Sequence, residues 1–340
     1  MPRLRATPDR LGALPLRKRG LGVPDFVIAG LALVILLLAG DVLVRGAVNL
    51  SLRLGVPALI VSLTIVAFGT SAPELLIAIQ AIDDGAPGIA IGNVVGSNTA
   101  NVLLVLGVPA LLAGLHTSEC ETKKSYLLMV AVTLLFIGVC FAGPITWVHG
   151  LLLLAVLLLI LGDQLREALA HRNGADDILD DLEGVDPHMP WWKISLFILL
   201  GLIGLPLGAD LLVDSSVSIA RTFGVSETVI GLTLVAIGTS LPELATTVMA
   251  AYRRQADVAL GNVIGSNMFN LLAIIGIASL VGPIPIDETF LRLDLWVMLG
   301  ASLVLAPFVF SNSRNMTKRW GILFTGIYAV YIWYIITAGG

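Results

Sequence analysis

GTSAPELLIAIQ runs from Gly69 to Gln80, and GTSLPELATTVM from Gly238 to Met249. Each places Gly, Thr, Ser, Pro and an ionisable Glu inside an otherwise apolar run. Pro73 has no N–H and cannot continue a helical ladder, while Gly69 adds backbone freedom four residues earlier. An interrupted helix is expected here, with carbonyls released around Ala67 to Gly69. Thr70 and Glu74, four apart, should share one helical face. In hydrocarbon, released backbone groups survive only inside protein or beside a wet cavity.

The surroundings are membrane-like. The chain is 57% hydrophobic and 13% charged, with mean hydropathy +0.94. Soluble domains carry about one quarter charged residues, so a polytopic protein solvated by the lipid bilayer is expected. Spans need about 20 mainly apolar residues. Ten candidates satisfy this: 26–54, 56–82, 87–114, 123–143, 146–165, 191–222, 225–252, 256–282, 289–311 and 318–337. The first and sixth are long enough to tilt. Residues 1–25 form a basic tail, read as uncleaved because no small-residue cleavage site stands out. Residues 26–165 and 191–340 hold five spans each, and 166–190 form a polar linker between them. Cys120 and Cys140 make neither a disulfide framework nor a metal motif. The net charge of −4 names no partner and gives no basis for nucleic-acid binding.

The halves are repeats. An offset of 169 maps Asp41 to Asp210, Gly55 to Gly224, Glu74 to Glu243, Asn93 to Asn262 and Asn101 to Asn270. Aligned without a gap, 41–110 and 210–279 agree at 27 of 70 positions, which shared greasiness cannot produce. With an odd number of spans per repeat, the second copy enters the membrane from the opposite side. The expected fold class is therefore all-α: ten transmembrane helices as two inverted five-helix repeats, with broken helices at the midplane. Loop charge orients it. Arg53, Lys123, Lys124, Arg166, Arg172, Lys193, Arg253, Arg254, Arg314, Lys318 and Arg319 fall on the side opposite the N-terminus; the N-terminal side has only Arg221 and Arg292 besides the tail, Arg45 lying within a span. This puts the linker in the cytoplasm and both termini outside, in what reads as a prokaryotic cytoplasmic membrane.

A second motif follows the first in each half. GNVVGSNTAN (Gly92 to Asn101) sets Asn93, Ser97 and Asn101 at four-residue steps, and GNVIGSNMFN (Gly261 to Asn270) repeats this with Asn262, Ser266 and Asn270. Its glycines are read as further local unwinding, with small-residue helix packing as the competing account. Around a pseudo-two-fold axis the four motifs supply two carboxylates, hydroxyls, amide oxygens and carbonyls. His116, His149, His171 and His188 lie at span ends or in loops. An all-oxygen set suits Ca²⁺ or Na⁺ and disfavours zinc and copper. Two carboxylates balance one Ca²⁺ or two Na⁺, so one site serves both in turn. The ions are substrates; no cofactor and no enzymatic chemistry are expected.

GTSAPE with GNVVGSNTAN, and GTSLPE with GNVIGSNMFN, resemble the paired α-repeats of the calcium/cation antiporter superfamily, the sodium/calcium exchangers. The resemblance covers all ten spans and implies Ca²⁺/Na⁺ antiport by alternating access. It implies Glu74 and Glu243 as central carboxylates. Hydroxyls would come from Thr70, Ser71, Ser97, Thr239, Ser240 and Ser266, with Asn101 and Asn270 flanking. The carbonyls of Ala67 and Ala236 would ligate sodium, and three Na⁺ would exchange per Ca²⁺.

Competing readings have sequence tests. For Glu74 and Glu243 the bland account is a protonated carboxyl kept for packing, but a charge at mid-membrane is costly and its duplication beside helix breakers points to function. Asn98 and Asn267 are read as braces of the break, not ion ligands. Asp41 and Asp210 are read as structural groups near the membrane surface. The insertion DDILDDLEGVD (Asp176 to Asp186) lacks the central glycine and terminal Glu of an EF-hand loop, so it reads as a solvated acidic linker. A proton-coupled antiporter is the nearest rival, since a carboxyl in low dielectric can carry a proton. The Thr/Ser shell and the amides at Asn101 and Asn270 favour Na⁺ instead. A cation channel needs weak multi-site binding, and an intramembrane hydrolase needs a base beside a nucleophile, which these spans do not offer.

Overall fold

The computed structural model describes residues 25–170, 186, 189–224, 236–311 and 313–338. The basic tail, most of the linker and the start of the seventh expected span lie outside them. The described chain is helical: α1 (Asp25–Leu54), α2 (Ala58–Thr70), α3 (Ala72–Asp83), α4 (Pro87–Leu112), α5 (Lys123–Phe141) and α6 (Trp147–Ala170). The second half gives α7 (Trp191–Thr222), α8 (Ala236–Gly238), α9 (Leu241–Tyr252), α10 (Ala256–Val281), α11 (Phe290–Val309) and α12 (Lys318–Ala338). Eight of these are long and apolar enough to cross a membrane, and the bent pair α2–α3 makes a ninth.

The 169-residue offset is reproduced in the backbone. It carries α3 onto α9 and α4 onto α10 end for end. Within α4 and α10 it also matches one π-helical turn, Asn101–Val105, to another, Asn270–Ile274. π turns are rare and recur at functional sites. The second motif is thus an unbroken α-helix passing into a π turn, and the unwinding expected at its glycines is not found. The second-half pair serves packing instead: a Cβ on Gly261 would sit 2.9 Å from the Leu59 carbonyl oxygen, and one on Gly265 2.6 Å from that of Leu63, whereas one on Gly96 would meet nothing within 4 Å. Only glycine admits α10 this close to the α2 backbone.

α4 and α10 form the centre, α10 being buried along most of its length. The long helices α1 and α7 pack face to face outside them. Gly201 and Gly208 of α7 meet Leu43 and Leu36 of α1, and Gly40 of α1 would place a Cβ 2.9 Å from the Ala245 carbonyl oxygen of α9. Asp41 bridges Arg45 one turn on and Arg253 just beyond α9. Its repeat mate Asp210 is exposed.

The outer helices cross over between halves. α12 packs on the end of α4, and α6 on the end of α10. A Cβ on Gly150 of α6 would lie 2.6 Å from the Gly276 carbonyl oxygen, and one on Gly107 of α4 2.8 Å from Thr325 Oγ1. Paired backbone bonds seal each crossing: Leu115 with Met316 (both 3.0 Å) and Ile145 with Ile284 (both 2.9 Å). Each half therefore completes the other.

Candidate cation site

The break in the first motif falls at Ser71, whose ψ of 4° ends α2, and the chain bends by 42° into α3. Thr70 and Glu74 therefore sit on two helices, not one face as expected; both remain buried at 1% exposure. Pro73 occupies the first turn of α3, where a missing N–H costs nothing. The Ala67 carbonyl is not released: it accepts the Ser71 N–H at 3.1 Å and lies 3.3 Å from Thr70 Oγ1. In the second half, Ser240 likewise precedes α9, but its N–H closes a tighter turn on the Ile237 carbonyl at 3.0 Å.

Glu74 and Glu243 thus lie in the first turns of α3 and α9, where helix N-termini favour negative charge. Cross-repeat bonds join the motifs. Ser71 Oγ donates to Glu243 Oε1 at 3.3 Å, and Thr70 Oγ1 donates to Asn262 Oδ1 at 3.3 Å. Asn262 Nδ2 in turn reaches the Glu243 carbonyl at 3.3 Å and Thr247 Oγ1 at 3.2 Å. Asn262 is visible in the sequence as a repeated residue, but its tie to Thr70 is not. Phe68, two residues before Thr70, meets Phe269 of the opposite repeat, ring centroids 5.6 Å apart.

Ser97, Ser266, Asn101 and Asn270 are all buried where α4 and α10 meet. Thr239 is half-buried next to Ser240, and Ala236 opens α8. Buried oxygens without a hydrogen-bond partner include Glu74 Oε2, Glu243 Oε2, Asn101 Oδ1, Asn270 Oδ1, Ser240 Oγ and Ser266 Oγ. Each such group costs about 1–3 kcal/mol when left unpaired. Six such oxygens come from the four repeated motifs. Among the described residues, no group of three or more His, Cys, Asp or Glu could hold a metal ion; the acidic groups buried here are Glu74 and Glu243, and the other buried oxygens are neutral.

A family profile described as sodium/calcium exchanger protein matches residues 25–165 and 193–337. The chain belongs to this family. Sodium/calcium exchanger MaX1 of Methanosarcina acetivorans is 33% identical over 91% of this chain and 97% of its own. Inner membrane protein YrbG of Escherichia coli is 33% identical over 90% and 94%. The solved structure of the sodium-calcium exchanger NCX_Mj, soaked with Na⁺ and Ca²⁺, superposes with TM-score 0.75 at 30% identity, covering 91% of this chain and 97% of that one. This exchanger-family chain is an integral, multi-pass membrane protein, as its apolar helices require.

Proposed function

We propose that the protein is a secondary antiporter exchanging Ca²⁺ for Na⁺ by alternating access at the α3/α9 site. The observation that carries this is the pair of fully buried carboxylates, each with an unpaired oxygen, amid unpaired amide and hydroxyl oxygens. Glu74 and Glu243 neutralise one Ca²⁺ or two Na⁺. Thr70, Ser71, Ser97, Thr239, Ser240 and Ser266 supply hydroxyls, Asn101 and Asn270 amide oxygens, and Ala67 and Ala236 carbonyls. The lone pairs of a carbonyl oxygen let Ala67 keep its backbone bond and still face an ion.

In proteoliposomes, an outward Na⁺ gradient is expected to drive Ca²⁺ inward, and the reversed gradient to drive it out. Transport should persist with K⁺ replaced by choline on both sides. Two formal negative charges balance Ca²⁺ alone, and an added K⁺ would leave an uncompensated charge in low dielectric. Uptake that follows a pH gradient and ignores Na⁺ would establish proton coupling instead. A strict K⁺ requirement would refute the charge count.

The orientation proposed from loop charge places both termini outside and residues 166–190 in the cytoplasm. Single cysteines at Ala175 and Gly339, in a background lacking Cys120 and Cys140, report it. Only the residue-339 cysteine should react with an impermeant maleimide in intact cells; labelling at 175 would invert the topology.

A further inference from the structure

We propose that Asn98 and Asn267 are positioning residues that turn the amides of Asn270 and Asn101 oxygen-first toward the transported cation. An asparagine side chain is ambivalent. Its oxygen ligates a cation, whereas its two N–H groups repel one, and nothing intrinsic selects the orientation. Here a fixed chain of donors and acceptors selects it.

The chain starts at a backbone carbonyl. The Asn267 carbonyl can only accept, and Asn98 Nδ2 donates to it at 3.1 Å. That leaves Asn98 Oδ1, also an acceptor, facing Asn270, which must answer with its nitrogen: Asn270 Nδ2 donates to Asn98 Oδ1 at 3.0 Å. Asn270 Oδ1 is thereby turned away, buried and unpaired. The mirror chain runs from the Asn98 carbonyl through Asn267 Nδ2 at 3.3 Å. Asn101 Nδ2 then donates to Asn267 Oδ1 at 3.1 Å, leaving Asn101 Oδ1 unpaired. Asn267 Nδ2 has one further contact, Met129 Sδ at 3.8 Å, which is a weak acceptor and supports the same orientation.

All four side chains are at most 1% exposed, so water cannot substitute for a lost partner. The partners come from opposite repeats, so each half orients a ligand belonging to the other. Asn98 and Asn267 precede the π turns, while Asn101 and Asn270 open them. The two members of each bonded pair are thus held on separate central helices. This rests on the proposed cation site and adds the means by which its amides are held as acceptors.

The test is a double-mutant cycle on the purified full chain, with Ca²⁺ binding followed by calorimetry. Asn98→Leu frees Asn270 to rotate and is expected to weaken Ca²⁺ binding at least tenfold. In an Asn270→Asp background both terminal atoms are oxygens, so orientation no longer matters. There Asn98→Leu is expected to change affinity less than twofold. Equal losses in the two backgrounds would show a bracing role only and overturn the proposal. The mirror cycle, Asn267→Leu with Asn101→Asp, is expected to give the same coupling. Should the leucine variants fail to fold, a structure of the unmutated chain with Sr²⁺ bound decides. An intact Asn270 Nδ2–Asn98 Oδ1 contact with Asn270 Oδ1 toward the ion supports the proposal; a flipped amide refutes it. Absence of Ca²⁺ binding by the unmutated chain would defeat the cation site itself, before orientation is in question.

Discussion

Glu74→Gln and Glu243→Gln will each abolish Na⁺-driven Ca²⁺ transport while the protein still inserts and purifies as a folded species. Glutamine matches glutamate in shape, so packing in the first turns of α3 and α9 is preserved. What changes is charge. With both carboxylates, a bound Ca²⁺ is neutral against its site; with one, a net positive charge remains in surroundings where neither residue exceeds 1% exposure. The uncompensated charge costs several kcal/mol even after relaxation, and every ~1.4 kcal/mol is tenfold in affinity. A loss of at least a thousandfold in Ca²⁺ affinity is expected. The two carboxylates differ in their bonding. Ser71 bonds Glu243, whereas Oγ of its repeat mate Ser240 is unpaired. Near-normal transport by either variant, in proteoliposomes of matched protein content, would refute the central-site assignment.

Gly265→Ala is expected to cost at least tenfold in Ca²⁺ affinity and to lower the folded yield, although a single methyl group is added. That methyl would sit 2.6 Å from the Leu63 carbonyl oxygen and 2.7 Å from Ala67 Cβ. Optimal carbon contacts lie at about 3.5–4.0 Å, so α2 and α10 would have to part by roughly 1 Å. No flexible side-chain end is available to yield, because the opposing atoms are backbone and a Cβ. Ser266, next in the chain, and Ala67 both belong to the proposed site, so separation pulls ligands apart. Gly138→Ala in α5 meets no described atom within 4 Å and serves as the control. Fluorescence-detected size exclusion and Ca²⁺ titration of both variants check this; equal behaviour would exclude the close-approach role.

Much of this is legible in the sequence because repetition is a strong signal. Glu74 and Glu243 stand in matching settings 169 residues apart, and the helix limits of α3 and α9 follow the same offset. Other features are not legible, for physical reasons. The sequence points to a break at Gly69 with the Ala67 carbonyl freed. The break falls at Ser71, because a proline in the first helical turn needs no disruption upstream of its own helix. Gly261 and Gly265 read as unwinding; close backbone approach and unwinding both call for glycine, and only the neighbouring helix distinguishes them. The π turns carry no breaker residue at all, since Asn101–Val105 and Asn270–Ile274 differ from α-helix only in hydrogen-bond register. The bond from Thr70 to Asn262 depends on how two distant helices meet, which periodicity along one chain does not encode.

The crossing of outer helices between halves sets a schedule for synthesis. When α6 leaves the ribosome, the surface of α10 that its Gly150 must meet has not been made; Gly276 lies more than a hundred residues later. At about 5–20 residues per second, the first half waits on the order of 5–30 seconds with that face and the Leu115 edge unpartnered. The end of α4 in turn gains its α12 neighbour only when α12, the last helix of the described chain, arrives. The newborn first half is therefore not a small transporter awaiting a duplicate. It is an open intermediate in the bilayer until α10 and α12 are made.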